Sequence, residues 1–384
     1  MLAACSGSTA EPKSEGRLLV LAEDGAITVL ERSGRLITEL RGPAENLVVQ
    51  QPTWSPSGAA AVWTEVGPDS AVIATWDGKA TETVGSPIAP FFYLWNPTGR
   101  QVAFLGSSST GLRLGLLDVE AHTVTEIDAG QPYYLDWDPD GSRLVTHVGN
   151  EKLSVLKPDG SLAEVSVVPG LFQAPDWLSG GEVLVVGAGT SGGVAAANAG
   201  RLVALRQEQD VDRLLLLDPD EGVSRELATV SGLVSFGASP DGSKVAFTQT
   251  EGVALGSLQV LSVDGGESQQ LASDAVAAFQ WSPAGDQVWY LTIDIEASLL
   301  VPHVWQSNRT LDFPGFLPTQ VFGRDYLQFW DQYTRSLTLW SPDGAAFVYA
   351  ASGGERDGIF VQPVAPGTGP TRISDGVFAS FSPT

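Results

Sequence analysis

Residues 234–248 read Val-Ser-Phe-Gly-Ala-Ser-Pro-Asp-Gly-Ser-Lys-Val-Ala-Phe-Thr, and this stretch decides the fold. Two short runs suited to strands flank Ser239-Pro240-Asp241-Gly242. Pro presets φ at the second position of a turn, and Gly accepts the left-handed conformation, so the four residues close a tight reversal. The flanking runs then lie side by side as antiparallel strands. A third run, residues 258–263, passes through Asp264-Gly265-Gly266 to a short fourth at residues 269–271. Asp-Gly and Gly-Gly between such runs are hairpin signals.

Outward from this unit the phrase recurs. It stands at Trp54-Ser55-Pro56-Ser57-Gly58, Trp95-Asn96-Pro97-Thr98-Gly99 and Trp137-Asp138-Pro139-Asp140-Gly141. A degenerate copy is Trp177-Leu178-Ser179-Gly180-Gly181, and later copies are Trp281-Ser282-Pro283-Ala284-Gly285 and Trp340-Ser341-Pro342-Asp343-Gly344. The chain stops at Phe381-Ser382-Pro383-Thr384, the opening of one more. Successive copies lie about 40 residues apart, with two intervals longer by roughly 20; four strands in that period make a propeller blade. Residues 17–22, 26–31 and 36–40 supply three strands without a leading phrase, whereas residues 377–384 supply a phrase without strands. Joined, they complete one blade and remove the free edges. The expectation is an all-β propeller of eight four-stranded blades over residues 17–384, or seven if the copy at Trp177 is no blade. Trp at one repeat position packs between blades, where a large flat ring buries much area.

Composition agrees. The 384 residues include 43 Gly and 24 Pro, which argues against a helical bundle, and no apolar run has the roughly 18 residues of a membrane span. Net charge is −24, which repels phosphate backbones and excludes nucleic acid as a partner. One Cys and three scattered His leave no metal cluster and no intrachain disulfide, and neither a metal nor a cofactor is expected.

That single Cys is in Leu2-Ala3-Ala4-Cys5, followed by small and polar residues to Gly16. The sequence resembles a bacterial lipobox without the charged and apolar front of a signal peptide, which places the start upstream or makes the chain trimmed. Residues 1–16 are then a lipidation site at Cys5 and a flexible tether, and the protein an extracytoplasmic, membrane-anchored lipoprotein.

The Ser-Pro-Asp-Gly phrase, intact at residues 239–242 and 341–344, resembles the repeats of TolB-like propellers, which also occur beside the hydrolase domain of dipeptidyl peptidase IV-type enzymes. The resemblance covers residues 17–384 and implies a propeller that binds other proteins in the cell envelope. The extra N-terminal domain of TolB proteins has no room here.

Two motif matches conflict with the repeat. Gly187-Ala-Gly189-Thr-Ser191-Gly192-Gly193 fits both a dinucleotide fingerprint (Gly187 to Gly192) and a nucleophile elbow (Gly189 to Gly193, around Ser191). Both need a parallel sheet with crossover helices, but residues 183–187 fall where a second blade strand is due and residues 213–218 where a third is due. The acidic groups Asp136/Asp138/Asp140 and Asp218/Asp220 read as turn chemistry, not as calcium loops.

Two segments depart from the repeat: a Gly- and Ala-rich insertion near 189–210 and an aromatic one near 296–336 that holds His303, Trp305 and Phe322. Elaborated loops on a rigid scaffold carry binding. The candidates for a partner or ligand surface are Phe313, Phe316, Tyr326, Phe329, Trp330, Asp331, Gln332, Tyr333 and Arg335, aromatic anchors with orienting polar groups. Strand positions facing the axis offer Gln51, Gln173, Gln280, Asp136 and Asp176, a set poor in catalytic bases. The functional expectation is a monomeric, non-enzymatic binding or scaffold lipoprotein for an envelope protein or small ligand. The alternative is an enzyme acting on glycans, or a relative of the peptidase propellers without the hydrolase domain.

Overall fold

A computed structural model describes residues 14–149, 152–165, 167–170, 173–188, 212–220, 224–250, 256–273, 275–353 and 357–384. In it each Pro-containing phrase that ends in Gly closes a turn through one backbone bond, such as Gly242 N–H to Ser239 O at 2.7 Å and Gly344 N–H to Ser341 O at 2.8 Å. The glycine is left-handed, with φ of +71° at Gly242 and +68° at Gly344, where a side chain would be strained. The first polar residue completes the turn. Ser239 Oγ accepts the Lys244 N–H and donates to Asp241. That hydroxyl, helped by Ser243, holds the Asp241 carboxyl down at about 2.

The strands assemble into eight four-stranded antiparallel sheets, one per blade. The degenerate copy at Trp177 is a true blade, built of strands at Asp176–Trp177, Val183–Gly187, Asp212–Leu217 and Ser224–Val230. Residues 183–187 and 212–217 are thus its second and third strands, paired from Val183↔Leu217 to Gly187↔Arg213. A parallel nucleotide-binding or hydrolase sheet is therefore excluded there, while Gly189, Ser191 and Gly192, with the whole insertion near 189–210, lie outside the described residues.

The ring closes as the two chain ends imply. Phe378–Phe381 is the innermost strand of the first blade and pairs with Arg17–Leu21, from Leu18↔Phe381 to Leu21↔Phe378. Fourth strands lie outermost and face water, as at Leu162–Glu164, while the first strands are buried.

Neighbouring blades are tied by the Trp of the phrase. The indole N–H of Trp54 reaches Ser380 O, Trp137 reaches Leu94 O, Trp281 reaches Gly237 O and Trp340 reaches Gln280 O, all at 3.0–3.4 Å. Each acceptor is a carbonyl of the preceding blade's innermost strand, and each ring fills the inter-blade seam. Trp177 instead bonds within its own turn, to Gly181 O. On three blades a side chain just before this position reaches the other way. Asp136 accepts the Trp177 N–H, Asp176 accepts the Ala238 N–H and Gln280 accepts the Leu339 N–H.

The innermost strands all run the same way. They start on one face, here the front face, and end on the opposite turn face, where the Pro-Gly turns lie. Chain entry into the first blade at Arg17 is on the turn face, because the Arg17 carbonyl accepts the Ser382 N–H.

Candidate functional site at the front mouth of the channel

The aromatic insertion is shorter than the sequence suggests. Leu299–Gln306 and Arg309–Asp312 are ordinary third and fourth strands of the seventh blade, so His303 and Trp305 belong to the repeat. The departure falls inside the innermost strand of the eighth blade. That strand begins at Leu317–Pro318, against Ser352 and Ala351, and resumes at Leu339–Trp340, against Val348 and Phe347. Between these points the chain leaves the sheet and enters the central channel.

Residues 321–333 form three consecutive helical turns, at Val321–Tyr326, Leu327–Phe329 and Trp330–Tyr333. The local sequence explains them. It has no Pro, and Phe322, Tyr326, Trp330 and Tyr333 follow helical spacing, which gives one apolar face. All four are buried, whereas Arg324, Gln328 and Phe329 on the other side are exposed.

The buried side fills the channel. Tyr326 stacks on Phe378 with ring centroids 4.1 Å apart, Trp330 meets Trp289, and Tyr333 meets Phe92 edge-on. Polar atoms then bind the insertion to backbone all round the ring. Trp330 Nε1 donates to Phe279 O (2.9 Å) and Tyr333 Oη to Phe91 O (2.7 Å). Gln332 takes the Leu135 N–H on Oε1 and donates from Nε2 to Leu135 O, both at 2.9 Å. Arg335 donates to Ala174 O and forms ion pairs with Asp136 and Asp176. Innermost strands have free edges toward the axis, and these side chains satisfy groups that burial would otherwise leave unpaired. Burial pushes the Asp136 carboxyl up to about 7 against the pull of Arg335, and raises Asp331 in the same way.

The candidate binding residues thus divide. Phe313, Phe316, Tyr326, Trp330, Gln332 and Tyr333 are buried. Their rings pack on blades and on one another, so they do not present the contact surface expected of them; the physical reason is that the channel supplies a larger apolar partner than solvent offers. Asp331 and Arg335 are held in the channel network. Phe329 alone, 51% exposed, faces outward.

On the front face the insertion divides the channel mouth into two clefts. A cavity of about 800 Å3 lies between it and the first, second and eighth blades, lined by Glu23, Asp24, Asp325, Asp357, Asp375 and Arg324 among others. A cleft of about 410 Å3 lies toward the third and fourth blades, lined by Phe91, Phe92, Tyr133, Tyr134 and Phe329. Gln50, Gln51, Arg324 and Asp325 border both. The Arg324–Asp325 ion pair, at 2.6 and 3.0 Å, is the bar between them. Gln51 is buried with φ of +60°, at an irregularity in strand pairing beside both clefts; non-Gly residues in that conformation concentrate at functional sites.

Sequence reasoning missed Glu23, Asp24, Phe91, Tyr133, Tyr134, Arg324, Asp325, Asp357 and Asp375. They come from separate blades and form no local motif. The available signal was positional: Phe91 and Tyr133 lie where innermost strands begin, and ring geometry brings all such positions to one mouth.

No protein-family model matches the sequence, and no curated protein is significantly similar to it. Among solved structures, an oligogalacturonate lyase in complex with manganese superposes with a TM-score of 0.54 at 14% identity, over 86% of this chain and 85% of its own. The β-propeller domain of the Trilobed protease from Pyrococcus furiosus gives 0.55 at 12% identity, over 86% and 99%. TolB from Acinetobacter baumannii overlaps less, with 0.39 at 17% identity over 67% and 64%. Identities this low show the propeller fold alone.

Proposed function

We propose that the protein is a non-enzymatic binding module of the bacterial cell envelope, which holds a partner on the front face of its propeller. One observation carries this reading. Of the ten exposed large hydrophobic side chains among the described residues, seven are on the front face: Leu47, Val48, Val168, Leu233, Ile295, Leu317 and Phe329. Exposed apolar side chains scattered singly need no explanation, but seven of ten on one face, with Leu47 and Val48 beside the front cavity, favour that face for a partner. The channel supports the same reading. Its axis is occupied by the chain's own Trp330, Gln332 and Tyr333, hydrogen-bonded to backbone on opposite sides of the ring.

In this reading Cys5 carries the lipid. Arg17 enters the ring on the turn face, so a tether ending there leaves the front face directed away from the membrane. No helix among the described residues is long and apolar enough to cross a membrane. Expression of the upstream-extended gene with labelled palmitate tests the anchor: label that disappears in Cys5→Ser is expected, and absence of label contradicts it. Retrieval of the same envelope partner by the parent and by Leu36→Asp, on an outer strand, but not by Val48→Asp, tests the face. Equal retrieval by all three contradicts the reading.

A further inference from the structure

We infer that the front mouth recognises a basic, amphipathic peptide segment, with a Lys or Arg side chain in the larger cavity and an adjacent aromatic or large aliphatic side chain in the smaller cleft. The inference rests on the binding reading above and names the chemistry of its partner.

The larger cavity is electrostatically one-sided. Five carboxylates and one guanidinium line it. Two of the carboxylates are already paired, Asp325 with Arg324 and Asp375 with Arg372. Asp24 accepts only the N–H of Ala26, two residues along, and Asp357 that of Gly353. Glu23 and Asp24 therefore have no cation opposite them among the described residues, and Arg372 reaches the backbone carbonyl of Asp357. Clefts lined by one sign of charge focus the field and raise the local concentration of the opposite sign, and the whole chain, at −24, adds to that field.

A second feature borders the same cavity. Tyr326 is 1% exposed and lines it, and its hydroxyl has no hydrogen bond of ordinary geometry. A buried hydroxyl is normally paired, and the group beside this one is the backbone of Gln51, which borders both clefts.

The smaller cleft is walled by aromatic rings and opens beside Phe329. It suits a flat or branched apolar side chain, which gains most of its affinity by leaving water. Because the two clefts share the Arg324–Asp325 bar, one ligand spanning both must place its charge and its apolar group on neighbouring residues. A short peptide does this, and its flanks then meet Leu47, Val48 and Leu317 on the rim. A small polyamine fills only the first cleft, and an uncharged apolar ligand only the second. An Arg guanidinium also matches carboxylates in pairs and stacks on rings, which suits it to this boundary.

The experiment uses the full chain and fluorescein-labelled probe peptides read by anisotropy. The test probe is Ser-Gly-Arg-Trp-Lys-Gly-Ser. One control replaces Arg and Lys by Gln, a second replaces Trp by Gly, and spermidine is the competitor. The expected result is saturable binding of the test probe and at least about tenfold weaker binding of either control. Binding is lost near 1 M salt, where the Debye length is about 3 Å. Glu23→Gln with Asp357→Asn weakens the test probe about tenfold and shallows its salt dependence, while Phe329→Ala removes the preference for Trp. All three positions are solvent-exposed, so the variants fold like the parent, and circular dichroism checks this. No binding of the probe, equal binding of the variants, or full displacement by spermidine with no Trp preference overturns the inference. If probe peptides fail while Val48→Asp still loses the envelope partner, the partner chemistry is wrong and the binding face stands. If Val48→Asp retains the partner, the binding reading itself falls.

Discussion

Replacing Gln332 by Ala should loosen the channel insertion and destabilise the whole ring. Gln332 is 4% exposed and forms two 2.9 Å hydrogen bonds with the backbone of Leu135, 197 residues away. Truncation leaves the Leu135 N–H and C=O on an innermost strand without those partners. Each buried group so stranded costs about 1–3 kcal/mol, so the pair costs about 2–6 kcal/mol, with water entry moving the value toward the lower end. Gln332→Glu makes the test sharper, because it keeps the shape. Its ionised form presents only acceptors to the Leu135 carbonyl, while its protonated form retains one donor. Burial raises the folded pKa of that Glu above the unfolded value near 4.3. Stability relative to the parent is therefore fully present below the unfolded pKa and is lost as pH rises through the folded pKa. The assay is chemical denaturation of parent and both variants at several pH values. A Gln332→Ala protein within about 0.5 kcal/mol of the parent, with Gln332→Glu following the parent's pH profile, would refute the claim that these bonds hold the insertion.

Three further outcomes follow from the same geometry. Trp137→Phe should cost about 1 kcal/mol more than Trp95→Phe in denaturation experiments, because the Trp137 indole N–H binds Leu94 O while that of Trp95 is buried without a partner. Removal of residues 378–384 takes away the strand paired with Arg17–Leu21 and the buried Phe378 and Phe381, so scanning calorimetry should show a broadened transition and light scattering should show aggregation. The raised pKa of Asp136, about 7 through burial, gives the folded state a proton that the unfolded state lacks between about pH 4 and 7. The contribution of Asp136 to stability should therefore fall as pH rises across that window, and Asp136→Asn should remove that contribution from the parent's pH profile.

The blades were legible in the sequence because each depends on a local turn. Ser239-Pro240-Asp241-Gly242 specifies its reversal within four residues, and the copies at Trp54 and Trp340 repeat the same chemistry. Ring closure was legible too, because the strand deficits at the two chain ends are complementary. The start of the aromatic insertion was not. His303 and Trp305 enrich residues 299–306 in aromatics, yet this segment pairs as a regular strand with Gln287–Asp294. The helical spacing of Phe322, Tyr326, Trp330 and Tyr333 was present, but spacing shows only that one face is apolar. Whether that face covers a channel or a partner depends on what the ring places opposite it. The front-mouth acids were illegible for a related reason. Glu23 sits in a hairpin, while Asp357 and Asp375 sit in loops of the last blade, and only closure of the ring gathers them.

The central claim is that partners meet this protein through the front face. The most direct measurement is site-specific photo-crosslinking in intact cells, with the photoreactive residue placed in turn at Phe329, at Val48, at Pro283 on the turn face and at Thr83 on an outer strand. The account predicts a discrete adduct from Phe329 and Val48 and none from Pro283 or Thr83. Adducts from Pro283 or Thr83, with Phe329 and Val48 silent, contradict it.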